Sequence, residues 1–137
     1  STLHSELKKI EFFLEEKKVK IIFESDLPPR ELNNFIEKFS PKNFGINYDI
    51  GNSASLGFNY KEELQLYGNR IQNVHVKDRL LHGPTVPLGE GNANIPNILK
   101  GFVKMGYTGN YILQTARSKH KHAEVLCKYK DYVLNYI

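Results

Sequence analysis

IQNVHVKD, residues 71–78, is the stretch that decides the fold. Ile71, Val74 and Val76 favour an extended chain, yet the run lacks strict polar–apolar alternation. That pattern marks a strand covered on both faces, as in parallel sheets packed between helices. Three further runs of the same kind flank it. VKIIFES (19–25) ends near Glu24, FGINYDI (44–50) near Asp49, and NYILQT (110–115) near Gln114.

Helical patterns fill the intervals. Leu3, Leu7, Ile10 and Leu14 recur at helical spacing and predict one amphipathic helix from Ser1 to about Lys18. Pro28 and Pro29 open the next, because proline suits a first turn whose N–H needs no partner, and Leu32, Phe35, Ile36 and Phe39 give it an apolar face. Gly51-Asn52 is expected to break the second strand, and YKEELQLYG (60–68) predicts a short helix ended by Gly68. Arg79 to about Asn94 reads as a long polar loop. Asn94 caps a helix with Pro96 in its first turn and Gly106 beyond its end, and a last helix runs from Ser118 onward.

Four strands alternating with five helices define an α/β chain with a parallel sheet of right-handed βαβ units. The 137 residues read as a single domain, 1–137. A complete eight-stranded α/β barrel takes about 250 residues, so this length accommodates only part of one.

Composition narrows the function classes. With 40% apolar and 25% charged residues the chain is an ordinary globular sequence. Its net charge of +4 comes from lysines scattered over helix faces, which reads as a solvated surface and argues against nucleic-acid binding. No apolar run approaches the roughly 18 residues of a membrane span, and Ser1 to Ile10 lacks a signal-peptide core. The lone Cys127 reads as a small buried residue of the last helix. Without a partner it points to a reducing, cytoplasmic setting.

In parallel α/β folds the chemistry sits at the carboxyl ends of the strands, and here each end carries a polar side chain: Glu24, Asp49, His75 and Gln114. Singly, each has a plain structural reading: a helix-cap partner for Glu24, an Asx turn for Asp49, a hydrogen-bonded core histidine for His75. At four successive strand ends they instead suggest a site. Two carboxylates, an imidazole and an amide oxygen suit Mn²⁺, Mg²⁺ or Co²⁺ better than Zn²⁺.

The motifs NYDIGN (47–52), VHVKDR (74–79), VPLGEGNANI (86–95) and YILQTAR (111–117), in that order, resemble the xylose isomerase-like TIM barrel superfamily of sugar and sugar-phosphate isomerases and epimerases. The resemblance covers about Lys20 to Arg117. It implies that the chain is the C-terminal (βα)4 half of a (β/α)8 barrel with an extra N-terminal helix. It further implies one metal ligand from each of the last four strands, Glu, Asp, His and Glu in order. These fall on Glu24, Asp49, His75 and position 114, where this chain has glutamine.

The implied reaction is a divalent-metal-dependent isomerisation or epimerisation of a sugar or sugar phosphate through an enediolate, with Glu24 as the catalytic base. Gln114 offers an amide oxygen but accepts no proton, which impairs a two-base epimerisation and leaves a one-base 1,2-isomerisation. A histidine common in the family three residues after the Asp is here Asn52, which suits a sugar hydroxyl and favours a single-metal site. The apurinic endonucleases of the superfamily need a three-metal cluster, which these residues do not supply.

Lys77, Arg79 and Arg117 are candidates for gripping a substrate anion, Lys77 also reading as the buried partner of a carboxylate. Asp78 is expected to orient His75 or the lysine, and Leu80 to Gly91 to act as a lid. The competing reading is a non-catalytic half-barrel scaffold or a fragment of a longer chain. Four βα units leave two open sheet edges, which predicts homodimerisation or association with a missing N-terminal half.

Overall fold

A computed structural model describes residues 2–137. The chain runs through α1 (Thr2–Lys9), α2 (Glu11–Lys17), β1 (Ile21–Phe23), α3 (Pro29–Ile36), β2 (Phe44–Asp49), α4 (Ile50–Ser55) and α5 (Tyr60–Tyr67). It continues with a 3-10 turn (Gly68–Arg70), β3 (Ile71–Val76), β4 (Asp78–Arg79), β5 (Thr85–Val86), α6 (Ile95–Lys104), β6 (Asn110–Leu113) and α7 (His122–Leu134). Four strands form one sheet in the order β1-β2-β3-β6, all neighbours parallel. This is the α/β architecture expected, a TIM-barrel-like fragment.

One face of the sheet is packed by helices. Phe23, Phe44, Ile46, Tyr48, Val74 and Val76 meet Leu32, Ile36 and Phe39 from the α3 side and Ile95, Ile98, Leu99 and Phe102 from α6. Phe23, Phe35, Phe39 and Phe44 form a continuous aromatic cluster, with ring centroids 4.9–6.0 Å apart. Each such side chain contributes about 1.5–3 kcal/mol by leaving water, which holds the strands in place beneath the site.

The other face carries the alternate residues: Ile22 and Glu24, Asn47 and Asp49, Asn73 and His75, then Ile112. Ile22 and Ile112 are exposed there. Register along this face is decided by one irregularity. Ile46 lies opposite Ile71, but Asn47 lies opposite Asn73, so Gln72 is an extra residue in β3. From there Asp49 pairs directly with His75. Gly45 makes room, because a Cβ at that position would lie 2.3 Å from Gln72 Cγ.

The structure corrects several expectations. The first amphipathic segment is two helices, since the N–H of Ile10 turns back to Leu7 O and ends α1. The second strand does end at Asp49, but Gly51-Asn52 lies in a helix rather than a loop, α4, which starts because the Asp49 carboxylate accepts the Asn52 N–H at 2.8 Å. The loop after β3 folds back as the short β4–β5 ladder. Asn94 precedes α6 without a side-chain cap bond, and α7 begins at His122 rather than near Ser118. Cys127 is exposed, because α7 buries only Val133.

Candidate metal centre

Glu24 stands one residue past β1, Asp49 ends β2, and His75 lies across from Asp49 on β3. Their ligand atoms converge: one from each residue, all within 4.8 Å of one another. His75 Nδ1 is 3.4 Å from Glu24 Oε2 and 3.8 Å from Asp49 Oδ2. Ligands at about 2.0–2.3 Å from a common ion sit at such mutual distances. The Asp49 side chain is buried and that of Glu24 is 42% exposed, so the cluster opens toward solvent on the glutamate side.

Two asparagines that the sequence reading passed over form its floor. Asn47 Nδ2 donates to Glu24 Oε2 at 2.5 Å and lies 3.2 Å from His75 Nδ1, while Asn47 Oδ1 accepts from Asn73 Nδ2 at 2.6 Å. Their signal was available: each stands two residues before a candidate ligand, Asn47 before Asp49 and Asn73 before His75, and hence on the same face.

The remaining predicted residues divide into two groups. Lys77 Nζ donates to Asp49 Oδ2 at 2.8 Å and to Asn52 Oδ1 at 3.3 Å. The buried-partner reading of Lys77 is therefore the one the structure displays, and its ammonium fixes Asp49 while offsetting one of the two carboxylate charges. Arg79 Nη1 donates to Asn52 Oδ1 at 2.9 Å, and its Nε and Nη2 both donate to Gly83 O. Asn52 Nδ2 in turn reaches Glu24 Oε1 at 3.3 Å. Glu24, Asp49, Asn52, His75, Lys77 and Arg79 are thus one connected group.

Gln114 and Arg117 make no side-chain hydrogen bond to this group. Both side chains are exposed, Gln114 joins the sheet through its backbone N–H on Val76 O, and both line a neighbouring hollow of about 440 Å³ with Ser118 and His122. A larger hollow of about 630 Å³ lies toward the amino ends of β3 and β6 and has no acid, base or histidine in its lining.

Asp78 departs from its expected role. Strand alternation turns it away from His75, and its fully buried carboxylate accepts three backbone N–H groups: Gly89 at 2.8 Å, Gly91 at 3.0 Å and Ala93 at 3.1 Å. The glycine at 91 follows from this, since a Cβ there would lie 2.1 Å from Asp78 Oδ1. With His82 N on Ser55 O and Leu81 N on Asn92 Oδ1, the segment expected to be a lid is braced at several points.

The fold agrees with comparison to known proteins. A family model described as xylose isomerase-like TIM barrel matches residues 2–129. The chain belongs to that family. An uncharacterised protein of Methanocaldococcus jannaschii is 30% identical over 112 residues, 78% of this chain and 38% of the relative. SgbU of Escherichia coli, provisionally named an L-ribulose-5-phosphate 3-epimerase, is 29% identical over 92 residues, 61% of this chain and 32% of SgbU. A solved D-tagatose 3-epimerase-like protein superimposes with a TM-score of 0.68 at 28% identity, over 96% of this chain and 54% of that structure. The fold is that of sugar isomerases and epimerases, and the chain spans under two-fifths of the length of its two sequence relatives. Among the described residues no helix is long and apolar enough to cross a membrane.

Proposed function

We propose that this xylose isomerase-like chain carries the metal-binding half of a divalent-metal-dependent isomerase or epimerase acting on a sugar or sugar phosphate. The carrying observation is the convergence of Glu24, Asp49 and His75 at the carboxyl ends of three adjacent parallel strands. A divalent ion held there, Mn²⁺, Mg²⁺ or Co²⁺ by the oxygen-rich donor set, supplies Lewis acidity that polarises a substrate carbonyl and acidifies the neighbouring C–H. Glu24 then moves the proton. Its Oε2 faces His75, leaving Oε1, beside Asn52 Nδ2, to take the proton from carbon. The C–H electron pair goes to an enediolate of the substrate, the hydroxyl proton passes from its oxygen to the former carbonyl oxygen, and the same carboxyl returns the first proton to the adjacent carbon.

Gln114 accepts no proton, so the chemistry supported is one-base 1,2-isomerisation between aldose and ketose. Asn52 is placed to bind a sugar hydroxyl, Lys77 holds Asp49, and Arg79 and Arg117 are the side chains for a substrate phosphate. The exposed face and the free edges of β1 and β6 are completed, in this reading, by four further strands from a second copy or from a polypeptide carrying the other half. Sedimentation of the isolated folded chain as a monomer rejects the second-copy version.

The exposed Gln114, which contributes no acid or base, favours one alternative, a half-barrel scaffold without turnover. Mn²⁺ titration calorimetry together with solvent-deuterium exchange into aldoses and ketoses separates the two. Metal binding with metal-dependent C–H exchange supports the isomerase. An intact fold that binds Mn²⁺ but exchanges no substrate proton, with the barrel completed, establishes the scaffold.

A further inference from the structure

Behind Asp49, on the helix-covered side of the sheet, lies a second carboxylate that the proposed reaction does not use. Glu63 of α5 is 2% exposed, and no lysine, arginine or histidine among the described residues forms an ion pair with it. A charge so placed is costly unless fully hydrogen-bonded. Three hydroxyls meet that need: Tyr48 at 2.7 Å and Ser53 at 2.5 Å donate to Oε2, and Tyr67 at 2.8 Å donates to Oε1. Hydroxyl-to-carboxylate bonds of this kind are short and roughly twice as strong as neutral ones.

The positions of two of these donors give the arrangement its meaning. Tyr48 is the residue before Asp49 on β2, and Ser53 is the residue after Asn52 on α4. Glu63 therefore grips the chain on both sides of the turn in which Asp49 caps α4 by accepting the Asn52 N–H. That turn supplies the buried ligand Asp49 and the amide that touches Glu24. A crevice of about 20 Å³, room for about one water, is lined by Glu24, Asp49 and Asn52 as well as by Ser53 and Glu63.

We propose that Glu63 is a positioning residue for the metal centre, fixing Asp49 and Asn52 through Tyr48 and Ser53. This rests on the metal-site reading above.

The test compares Glu63→Gln and Ser53→Ala with the unmodified chain by two measurements: Mn²⁺ affinity per folded molecule, and hydrogen exchange at the Asn52 amide without metal. Glutamine cannot accept from three hydroxyls and must present an N–H₂ to one of them. Alanine at 53 removes only the link to α4 and serves where the glutamine variant does not fold. Expected are Mn²⁺ binding weakened about tenfold in either variant and Asn52 exchange accelerated about tenfold. Wild-type values for both in folded Ser53→Ala overturn the proposal, since a role confined to stability lowers the melting temperature and leaves both readouts unchanged. Should the unmodified chain bind no Mn²⁺, the metal-site reading fails, and Asn52 exchange still decides whether Glu63 positions the turn.

Discussion

Replacing Asp78 tests whether a single buried carboxylate organises the segment beside the site. Its Oδ2 accepts from Gly89 and Gly91 and its Oδ1 from Ala93. In Asp78→Asn one oxygen still serves two of these amides, but the new N–H₂ faces the third N–H. One bond is lost and a donor is set against a donor. An orphaned buried N–H costs about 1–3 kcal/mol, which places Asp78→Asn near 2 kcal/mol. Asp78→Ala strands all three amides; partial relaxation toward water keeps the loss at about 3–5 kcal/mol rather than the full sum. Urea unfolding followed by circular dichroism reads the stability, and hydrogen exchange at Gly89, Gly91 and Ala93 reads the segment locally. If both variants lie within about 0.5 kcal/mol of the parent and exchange at those amides is unchanged, Asp78 does not hold the segment.

Gly91→Ala attacks the same contact from the other side; its Cβ falls 2.1 Å from Asp78 Oδ1, and a loss of about 2 kcal/mol in the same urea experiment is expected. Gln114→Glu supplies the carboxylate that the resemblance implies as the fourth ligand, and calorimetry should show Mn²⁺ binding tightened about tenfold; unchanged affinity would mean that position 114 does not reach the ion. Alkaline stability should fall steeply. Burial first, and Glu63 second, raise the Tyr48 and Tyr67 pKa values in the folded chain. The unfolded state therefore releases protons first. The stabilisation is complete below about pH 10 and is lost as pH rises beyond it, by up to about 1.4 kcal/mol per pH unit per tyrosine. Tyr67→Phe should make this decline shallower in denaturation curves taken between pH 9 and about 11, and an unaltered slope would contradict the assignment.

The fold was legible because β-branched runs and helical periodicity report burial, which is local in sequence and repeated many times. The strand-end rule likewise located Glu24, Asp49 and His75, whose convergence follows from adjacent parallel strands. What escaped were features made by contacts distant in sequence. Nothing in YKEELQLYG sets Glu63 apart from the neighbouring charges, because the hydroxyls that meet it come from residues 10 and 15 positions away as well as from its own helix. Asp78 was adjacent to a strand-end lysine and was assigned to the site, whereas alternation sends it to the opposite face. The helix α4 was hidden by Gly51 and Asn52, residues typical of loops, since its start depends on the Asp49 cap.

The extra residue at Gln72 explains the irregular pattern of IQNVHVKD. Ile71 and Val74 both face the helices although an odd number of positions separates them, which a regular strand does not allow. Continued from Ile46 opposite Ile71 without the irregularity, the ladder would set Asp49 against Val74 and turn His75 toward the core. The imidazole of the candidate centre is thus specified by a count as much as by its chemistry. Loss of Gln72 would only make the ladder regular, whereas a one-residue deletion between Asn73 and His75 would leave every proposed ligand in the chain and still turn the imidazole toward the core. Sequence divergence within this strand is therefore open to substitution, and to a change of length at Gln72, far more than to a change of length between Asn73 and His75.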